Sequence, residues 1–219
     1  MTLCRKTRAE KKAETRASLL AAAAEVFSQR GFQAASVDQV AEAAGFTKGA
    51  VYAHFESKED LFLAMLDERF AERMAEIREV LADEHDPEEQ AREAGEGFMA
   101  HIDSDPAWAP LFFEFWAHAV RNPDVAGKLV TRYGALRAAV ADAIRHRAGE
   151  VGMEPPIACD DIAAMTFAMA NGAALEHMLE PERIPAELYG RMLEIFFRGL
   201  AAMAEEQAAG PVPSGQAAG

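Results

Sequence analysis

The sequence has few cysteines and no hydrophobic run long enough to cross a membrane. Cys4 and Cys159 lie far apart and match no metal-binding or redox spacing, which argues against a disulfide framework. No apolar segment approaches the roughly 20 residues that a membrane-spanning helix needs. The N-terminus, MTLCRKTRAEKK, is basic but lacks the apolar segment of a secretory signal. We therefore expect a cytoplasmic protein with free thiols and no membrane partner.

Segments that alternate Val, Ile or Thr at period two are also missing, and this argues against a sheet. Ala, Leu, Glu and Arg dominate, and 50% of the chain is hydrophobic, which is sufficient for a core. The composition predicts an all-α protein.

Motifs of catalysis are absent as well. The chain has no G-x-S-x-G, no Gly-rich phosphate loop and no Cys/His pairing. Glu114 and His118 stand four residues apart, a spacing compatible with metal binding, but no third ligand or H-E-x-x-H pattern accompanies them. We expect no enzyme, no metal and no cofactor.

The net charge of −14 by itself argues against a nucleic-acid partner, because phosphate repels acidic proteins. The charge is unevenly distributed, however. Residues 1–60 contain nine basic and eight acidic residues, a balance of +1, whereas residues 61–219 carry a balance of −15. In the first twenty residues six basic side chains face two acidic ones, which indicates a basic arm or a solvated helix start.

Capping signals divide the first sixty residues into short helices. A first helix is predicted from Ala9 to Arg30 and ends at Gly31. Ser36 and Gln39 form a capping box for a second helix that Gly45 stops. Thr47 caps a third, brief helix through Ala53, and Ser57 with Asp60 opens a long fourth helix.

The rest of the chain predicts five more helices, about nine in all. They lie near residues 88–102, from Asp105-Pro106 to about 121, from Asn122-Pro123 to about 147, and over about 160–179 and 185–206. We predict an N-terminal three-helix domain over residues 1–60, a larger helical domain over 61–206 and a disordered tail over 207–219.

The second and third predicted helices have the features of a helix-turn-helix. Ala41 is small enough for the helices to cross, Gly45 can take positive φ in the turn, and Val51 packs the third helix back. The N-terminus of such a helix can enter the major groove. Surface Lys residues and glycine turns also occur in ordinary helical domains, so spacing alone leaves both readings open.

The order of motifs goes further than spacing. The segment RASLLAAAAEVFSQRGFQAASVDQVAEAAGFTKGAVYAHFESKEDLF contains F-x-x-x-G-F, S-V-x-x-V-A, A-G-x-T-K-G-x-V-Y-x-H-F and S-K-E-x-L in sequence. It resembles the DNA-binding domain of the TetR family of transcriptional regulators over about 45 to 50 residues. The resemblance implies that Ser36 and Val37 approach phosphate at the start of the second helix. It implies a DNA-facing surface formed by Thr47, Lys48, Gly49, Ala50, Tyr52, His54 and Lys58.

Two such units must act together on a palindromic operator, so the resemblance also implies a homodimer built from helices eight and nine. Helix nine carries a broad apolar stripe that agrees with this, although core helices of one subunit would show a similar stripe. The expected interface residues are Phe167, Ala174, Leu188, Met192, Ile195, Phe196 and Leu200.

The aromatic and Met residues of the larger domain are mostly expected in the core. As a set they could also line an apolar cavity for a small-molecule effector, which the resemblance implies. The candidate ligand residues are Phe98, Ile102, Trp108, Phe112, Trp116, Met165, Met169, Asn171 and His177.

We therefore expect a DNA-binding transcriptional regulator, a repressor by family expectation, that a small and mostly apolar ligand releases from double-stranded operator DNA. The alternative is a helical ligand-binding or enzymatic protein whose DNA-binding domain no longer functions.

Overall fold

The computed structural model describes residues 7–82 and 86–209, and every regular element in these ranges is a helix. The described part of the chain contains nine helices: α1 (Arg8–Ala34), α2 (Val37–Ala43), α3 (Lys48–Tyr52), α4 (Lys58–Ala82), α5 (Pro87–Ser104), α6 (Trp108–Val120), α7 (Pro123–Glu150), α8 (Cys159–Leu179) and α9 (Ala186–Ala209). The predicted all-α class and the number of helices are confirmed. In the described ranges no helix combines the length and apolarity that a bilayer span requires.

The chain forms two compact units, which we call unit 1 and unit 2. Among the described residues, unit 1 contains residues 7–73 and 105–132, and unit 2 contains residues 74–82, 86–104 and 133–209. The boundary predicted at residue 60 differs from this division, because α6 packs on α1 and so belongs to unit 1. The assignment of separate functions to the two regions stays a prediction.

Local side-chain caps determine where the helices of unit 1 begin. The hydroxyl oxygens of Ser36 and Thr47 accept hydrogen bonds from the backbone N–H groups of Gln39 and Ala50, as predicted. The Ser57 hydroxyl accepts from the N–H of Asp60 at 3.0 Å. These bonds satisfy N–H groups that have no partner inside their own helix.

Gly31 interrupts α1 where the sequence predicted its end. Its φ of 75° and ψ of 164° are not helical, and one more helical turn follows before the chain leaves α1 at Ala35. Gly45, with φ of 71°, makes the turn between α2 and α3. Both positions need backbone angles that side chains disfavour, which explains why glycine occupies them.

Aromatic rings form the centre of unit 1. We call Phe27, Phe32, Phe62 and Phe115 the aromatic cluster; all four are at most 3% exposed. Phe62 stacks on Phe115 with centroids 4.1 Å apart, and Phe32 meets Phe115 edge-on at 4.9 Å. The cluster joins α1, α4 and α6 through one apolar contact region.

Two predicted helix bounds need correction. Helix α6 begins at Trp108 and not at Asp105-Pro106, because residues 106–107 form a turn in which the Trp108 N–H donates to the Asp105 carbonyl. Helix α9 continues to Ala209, so residues 207–209 of the predicted tail are helical. The rest of that tail lies outside the described residues, as does Cys4.

In unit 2 the backbones of α5 and α9 come very close together where the two helices cross at Gly95 and Gly190. A Cβ atom on Gly95 would lie 2.8 Å from the Gly190 Cα, and one on Gly190 would lie 2.8 Å from the carbonyl oxygen of Arg92. Tyr189 and Leu193, beside the crossing, are almost completely buried. Two glycines therefore allow the backbones to touch.

This crossing predicts opposite effects for two neighbouring Gly→Ala substitutions in α5. Gly95→Ala forces α5 and α9 apart and should lower the free energy of unfolding by about 1–3 kcal/mol. Gly97→Ala, which meets nothing within 4 Å, should raise it by about 0.5–1 kcal/mol because glycine is a poor helix former. Urea unfolding measures both. Equal effects of the two substitutions would contradict the crossing.

Candidate nucleic-acid interface

Helices α2 and α3 form the candidate interface. Val37, Val40, Ala41 and Val51 are buried and hold the two helices together and against α1. Tyr52 follows Val51 directly but is 49% exposed, whereas Val51 is 1% exposed. The five residues of α3 thus present an apolar side to the core and a polar side to solvent.

The exposed side of α3 contains most of the residues expected to face DNA. Thr47, Lys48, Gly49 and Tyr52 are exposed, and Ala50 and His54 are half-buried. Phe46, just before the Thr47 cap, is 37% exposed and was missed by the sequence analysis. Single exposed apolar residues are common on protein surfaces, so no signal in the sequence pointed to Phe46.

Lys48 is already paired. Its ammonium lies 2.8 Å from the Asp38 carboxylate in the first turn of α2, and this hydrogen bond raises the pKa of Lys48. Both side chains are more than half exposed, so the pair contributes little to stability and water can replace either partner. Asp38 accepts only one of the three ammonium hydrogens, so Lys48 can bind a ligand with the other two.

Ser36 and Val37 offer backbone and hydroxyl groups but no apolar contact. The Ser36 hydroxyl is occupied by the Gln39 N–H, and the Val37 side chain is only 8% exposed. The expected approach of Val37 to phosphate therefore has to use its backbone N–H, which lies in the first turn of α2 and has no intrahelical partner.

Lys58 has a structural position that the sequence analysis did not foresee. Its ammonium donates to the backbone carbonyls of Phe32, Gln33 and Ala35 at 2.8, 3.2 and 3.0 Å and lies 4.5 Å from the Phe32 ring centroid. A lysine in the first turn of α4 opposes the helix dipole, and these carbonyl contacts explain its position there. All three ammonium hydrogens have partners, so no free donor remains for phosphate.

Glu114 and His118 contact backbone and side-chain groups of unit 1. The Glu114 carboxylate accepts from the N–H groups of Phe32 at 2.8 Å and Gln33 at 2.7 Å. His118 has its Nδ1 3.0 Å from the Gln33 side-chain amide and its Nε2 3.3 Å from a carboxylate oxygen of Glu59. Among the described residues no three possible ligands group as a metal site would require.

The residues proposed to bind an effector are divided between the two units. Trp108, Phe112 and Trp116 belong to unit 1, where Trp108 stacks on Phe62 at 6.2 Å and Trp116 meets Phe112 at 5.6 Å. The other six belong to unit 2. Phe112 and Ile102 are buried in the cores of their own units, so packing explains these positions without a ligand.

Asn171 pairs with a tyrosine. The Tyr133 hydroxyl donates to the Asn171 side-chain oxygen at 3.1 Å and accepts from its amide nitrogen at 2.8 Å. Burial raises the pKa of Tyr133, although the hydrogen bond from Asn171 opposes this shift. Phe167, expected at a dimer interface, packs edge-on against the Tyr133 ring at 5.2 Å.

His177 is clamped between two acceptors. Its Nε2 lies 2.8 Å from the Asp103 carboxylate, and its Nδ1 lies 2.8 Å from the Ile184 carbonyl oxygen. A carbonyl oxygen and an ionised carboxylate only accept hydrogen bonds, so the doubly protonated imidazolium satisfies both contacts. Burial alone lowers the pKa of His177, but the bonds to Ile184 and Asp103 outweigh burial and raise it. His177 thus fixes the segment before α9 and is not available as the expected ligand contact.

The helices expected to form the dimer keep exposed apolar side chains. On α9 Leu188, Ile195 and Met203 are 37%, 62% and 45% exposed. Leu200 and Ala174, also expected at the interface, are buried within the chain itself. Met192 and Phe196 are half-buried. On α8 the large exposed apolar side chains are Met165, Leu175 and Leu179, of which the two leucines were not expected from the sequence.

Comparison with known proteins covers both regions of the chain. Residues 19–65 match the family model described as bacterial regulatory proteins of the tetR family. Residues 87–203 match the model of the BetI-type transcriptional repressor C-terminal domain.

Individual relatives and structures agree with these family matches. The HTH-type transcriptional activator FasR of Mycolicibacterium smegmatis is 36% identical over 136 residues, which cover 62% of this chain and 61% of the relative. Among solved structures, Salmonella enterica GusR has a TM-score of 0.71 at 23% identity and covers 86% of this chain and 96% of its own. The transcriptional regulator FadR of Bacillus subtilis in complex with stearoyl-CoA has a TM-score of 0.67 at 13% identity, with 85% and 98% covered. The two structures show the fold alone.

The clamped histidine predicts a pH dependence of stability. Because the pKa of His177 is higher in the folded chain than its unfolded value of about 6.5, the stabilisation is complete below that pH and is lost as pH rises through the folded-state pKa. His177→Gln should lower the free energy of unfolding at pH 6 by about 2 kcal/mol. In this variant the free energy of unfolding should no longer fall as pH rises through the folded-state pKa of His177.

His146→Gln is the matched control for this experiment, since the His146 side chain is 80% exposed. Denaturant unfolding from pH 5.5 to 8.5 compares both variants with the wild type. A His177→Gln protein that keeps the wild-type pH profile would contradict the charged clamp.

Proposed function

Because the chain belongs to the tetR family of bacterial regulatory proteins, we propose that it is a transcriptional regulator that binds duplex operator DNA as a homodimer through α3. The observation that carries the proposal is the capped α2–Gly45–α3 pair, which buries Val51 and exposes Tyr52 and Lys48. Operator binding places the protein in the cytoplasm, where bacterial DNA lies. The proposal assigns it no catalytic activity.

In the proposed complex α3 enters the major groove with its N-terminal end toward the bases. Lys48 exchanges the Asp38 carboxylate for a guanine edge or a phosphate, and Ala50 contacts a thymine methyl group. Tyr52 and His54 contact backbone from the far end of α3. Ser36 and the Val37 N–H receive phosphate at the start of α2, and Thr47 with Gly49 allows the DNA backbone to approach closely. Lys58 makes no DNA contact in the proposed complex, because its ammonium binds backbone carbonyls at the end of α1.

The proposed regulation is repression that a small, mostly apolar effector relieves. Support comes from the C-terminal family match, whose model describes a BetI-type repressor, and from the FadR neighbour, which holds stearoyl-CoA. FasR, in contrast, is named an activator. A coupling of about 1–3 kcal/mol between effector and DNA would lower operator affinity about 5- to 150-fold. The effector would favour a conformation of α4 in which two α3 helices no longer match adjacent groove segments.

The DNA-binding test begins with selection from a random duplex pool, followed by mobility shift on the selected sequence. Lys48→Ala should weaken specific binding by about 1–3 kcal/mol, and Tyr52→Ala should weaken it by a similar amount through a lost phosphate contact. If Lys48 contacts phosphate, its loss also lowers the salt slope by about 1.

Lys128→Ala on α7 is the control for this test, because it removes an exposed lysine outside the α2–α3 pair. A wild-type protein that enriches no sequence at low salt would contradict the proposal and support the alternative of a helical ligand-binding or enzymatic protein.

The dimer test uses the exposed stripe on α9. Ile195→Glu places a charge at a side chain that is 62% exposed in the monomer, where an apolar partner surface would exclude it. We expect this variant to sediment as a monomer at micromolar concentration and to lose operator affinity.

Val151→Glu, after the end of α7, is the matched control at a residue 45% exposed. This variant should remain dimeric. An Ile195→Glu protein that also stays dimeric would remove α9 from the proposed interface.

A further inference from the structure

One helical turn connects the break at Gly31 to the first cap of α2. We call residues 32–35 the capped turn. The Phe32 ring at its start is fully buried in the aromatic cluster, and the next residue after the turn is Ser36, whose hydroxyl caps α2. Any shift of this turn is therefore passed to α2 and, through the packed α2–α3 pair, to the exposed side of α3.

Opposite charges from two other helices close the capped turn. At its amino end Glu114 of α6 accepts the N–H groups of Phe32 and Gln33 at 2.8 and 2.7 Å. At its carbonyl end Lys58 of α4 donates to Phe32, Gln33 and Ala35. Both charges have the sign that the dipole of a helical turn favours at that end.

Gly31 leaves room for the carboxylate. A Cβ atom at this position would lie 2.7 Å from the Glu114 Oε2, so a side chain would displace the carboxylate even if the backbone angle allowed it. Glycine is thus required at this position for two reasons, namely its φ of 75° and the space that the Glu114 carboxylate occupies. The second requirement comes from a residue on α6, far away along the chain.

His118 adds a second contact from α6 to the same turn. It lies one helical turn after Glu114, and its Nδ1 faces the Gln33 side-chain amide at 3.0 Å. Its Nε2 faces Glu59, which follows Lys58 on α4. The four-residue spacing of Glu114 and His118 therefore reflects two side chains of one helix face that hold the same turn.

We propose that Glu114 is the positioning residue through which α6 sets the DNA-reading helices, by holding the capped turn that leads into α2. This inference deepens the proposed function and rests on it. Because the Phe32 ring stays anchored in the aromatic cluster without Glu114, loss of the carboxylate frees the backbone of the turn without removing the core. Operator affinity then depends on Glu114 although this residue contacts no DNA.

The test compares Glu114→Gln with Glu72→Gln. Both substitutions remove one negative charge from unit 1, but Glu72 is an exposed residue of α4 outside the capped turn. In Glu114→Gln one amide N–H group faces a backbone N–H donor, so hydrogen exchange at Phe32 and Gln33 should accelerate about tenfold or more. Affinity for the selected operator should fall about tenfold, measured well below the melting temperature so that both variants are folded.

Nuclear magnetic resonance separates positioning from stability alone. If Glu114 positions α2 and α3, the amide shifts of residues 36–52 change in Glu114→Gln and stay unchanged in Glu72→Gln. A lower melting temperature with wild-type shifts and wild-type operator affinity would overturn the inference. Unchanged exchange at Phe32 and Gln33 would overturn it as well.

Lys58→Met provides a second route if Glu114→Gln folds poorly. It removes the ammonium and keeps an apolar stem over the Phe32 ring, so the same amide shifts should change and operator affinity should fall while the salt slope stays that of the wild type. A salt slope lower by about 1 with unchanged shifts in α2 and α3 would identify Lys58 as a phosphate contact and overturn its place in the capped turn. If the wild-type protein selects no DNA, the proposed function fails, and the amide shifts of residues 36–52 still decide whether Glu114 positions them.

Discussion

The backbone break at Gly31 leaves amide groups that α1 cannot satisfy, and a carboxylate from α6 accepts them. An ammonium from α4 binds the carbonyls of the same turn. Buried or partly buried backbone groups need partners, and charged partners bind them most strongly. The helix-turn-helix begins directly after this turn, so its orientation depends on two side chains that belong to other helices. The aromatic cluster beside the turn stabilises it by apolar packing, and the charges of Glu114 and Lys58 fix the orientation of its backbone.

Basic side chains are paired with nearby acidic ones in a protein whose net charge is −14. The candidate DNA-binding surface is not strongly basic, and one of its lysines is held by Asp38 at 2.8 Å. An exposed pair of this kind costs little to exchange for phosphate. The pair uses one of the three ammonium hydrogens of Lys48 and leaves two for a ligand.

The larger part of the chain combines a close-packed crossing with an open apolar face. Gly95 and Gly190 let α5 and α9 touch, and this contact buries Leu193 and Tyr189. The opposite side of α9 keeps Ile195 exposed, as expected of a helix that has a second partner. Two polar pairs are formed within this part of the chain, Tyr133 with Asn171 and His177 with Asp103. Without these bonds, the same polar groups would be expected to contact a ligand.

Features governed by neighbours along the chain could be predicted from the sequence: the helical class, the caps at Ser36, Thr47 and Ser57, and the glycine turns. Each depends on a hydrogen bond or a backbone angle within about four residues, and residue type determines these. Only the tertiary structure decided the role of Lys58, the pairing of His177 and the crossing at Gly95. Apart from Ile184, which is seven residues from His177, their partners lie tens of residues away. A side chain's exposure, hydrogen bonds and charge state follow from what packs against it.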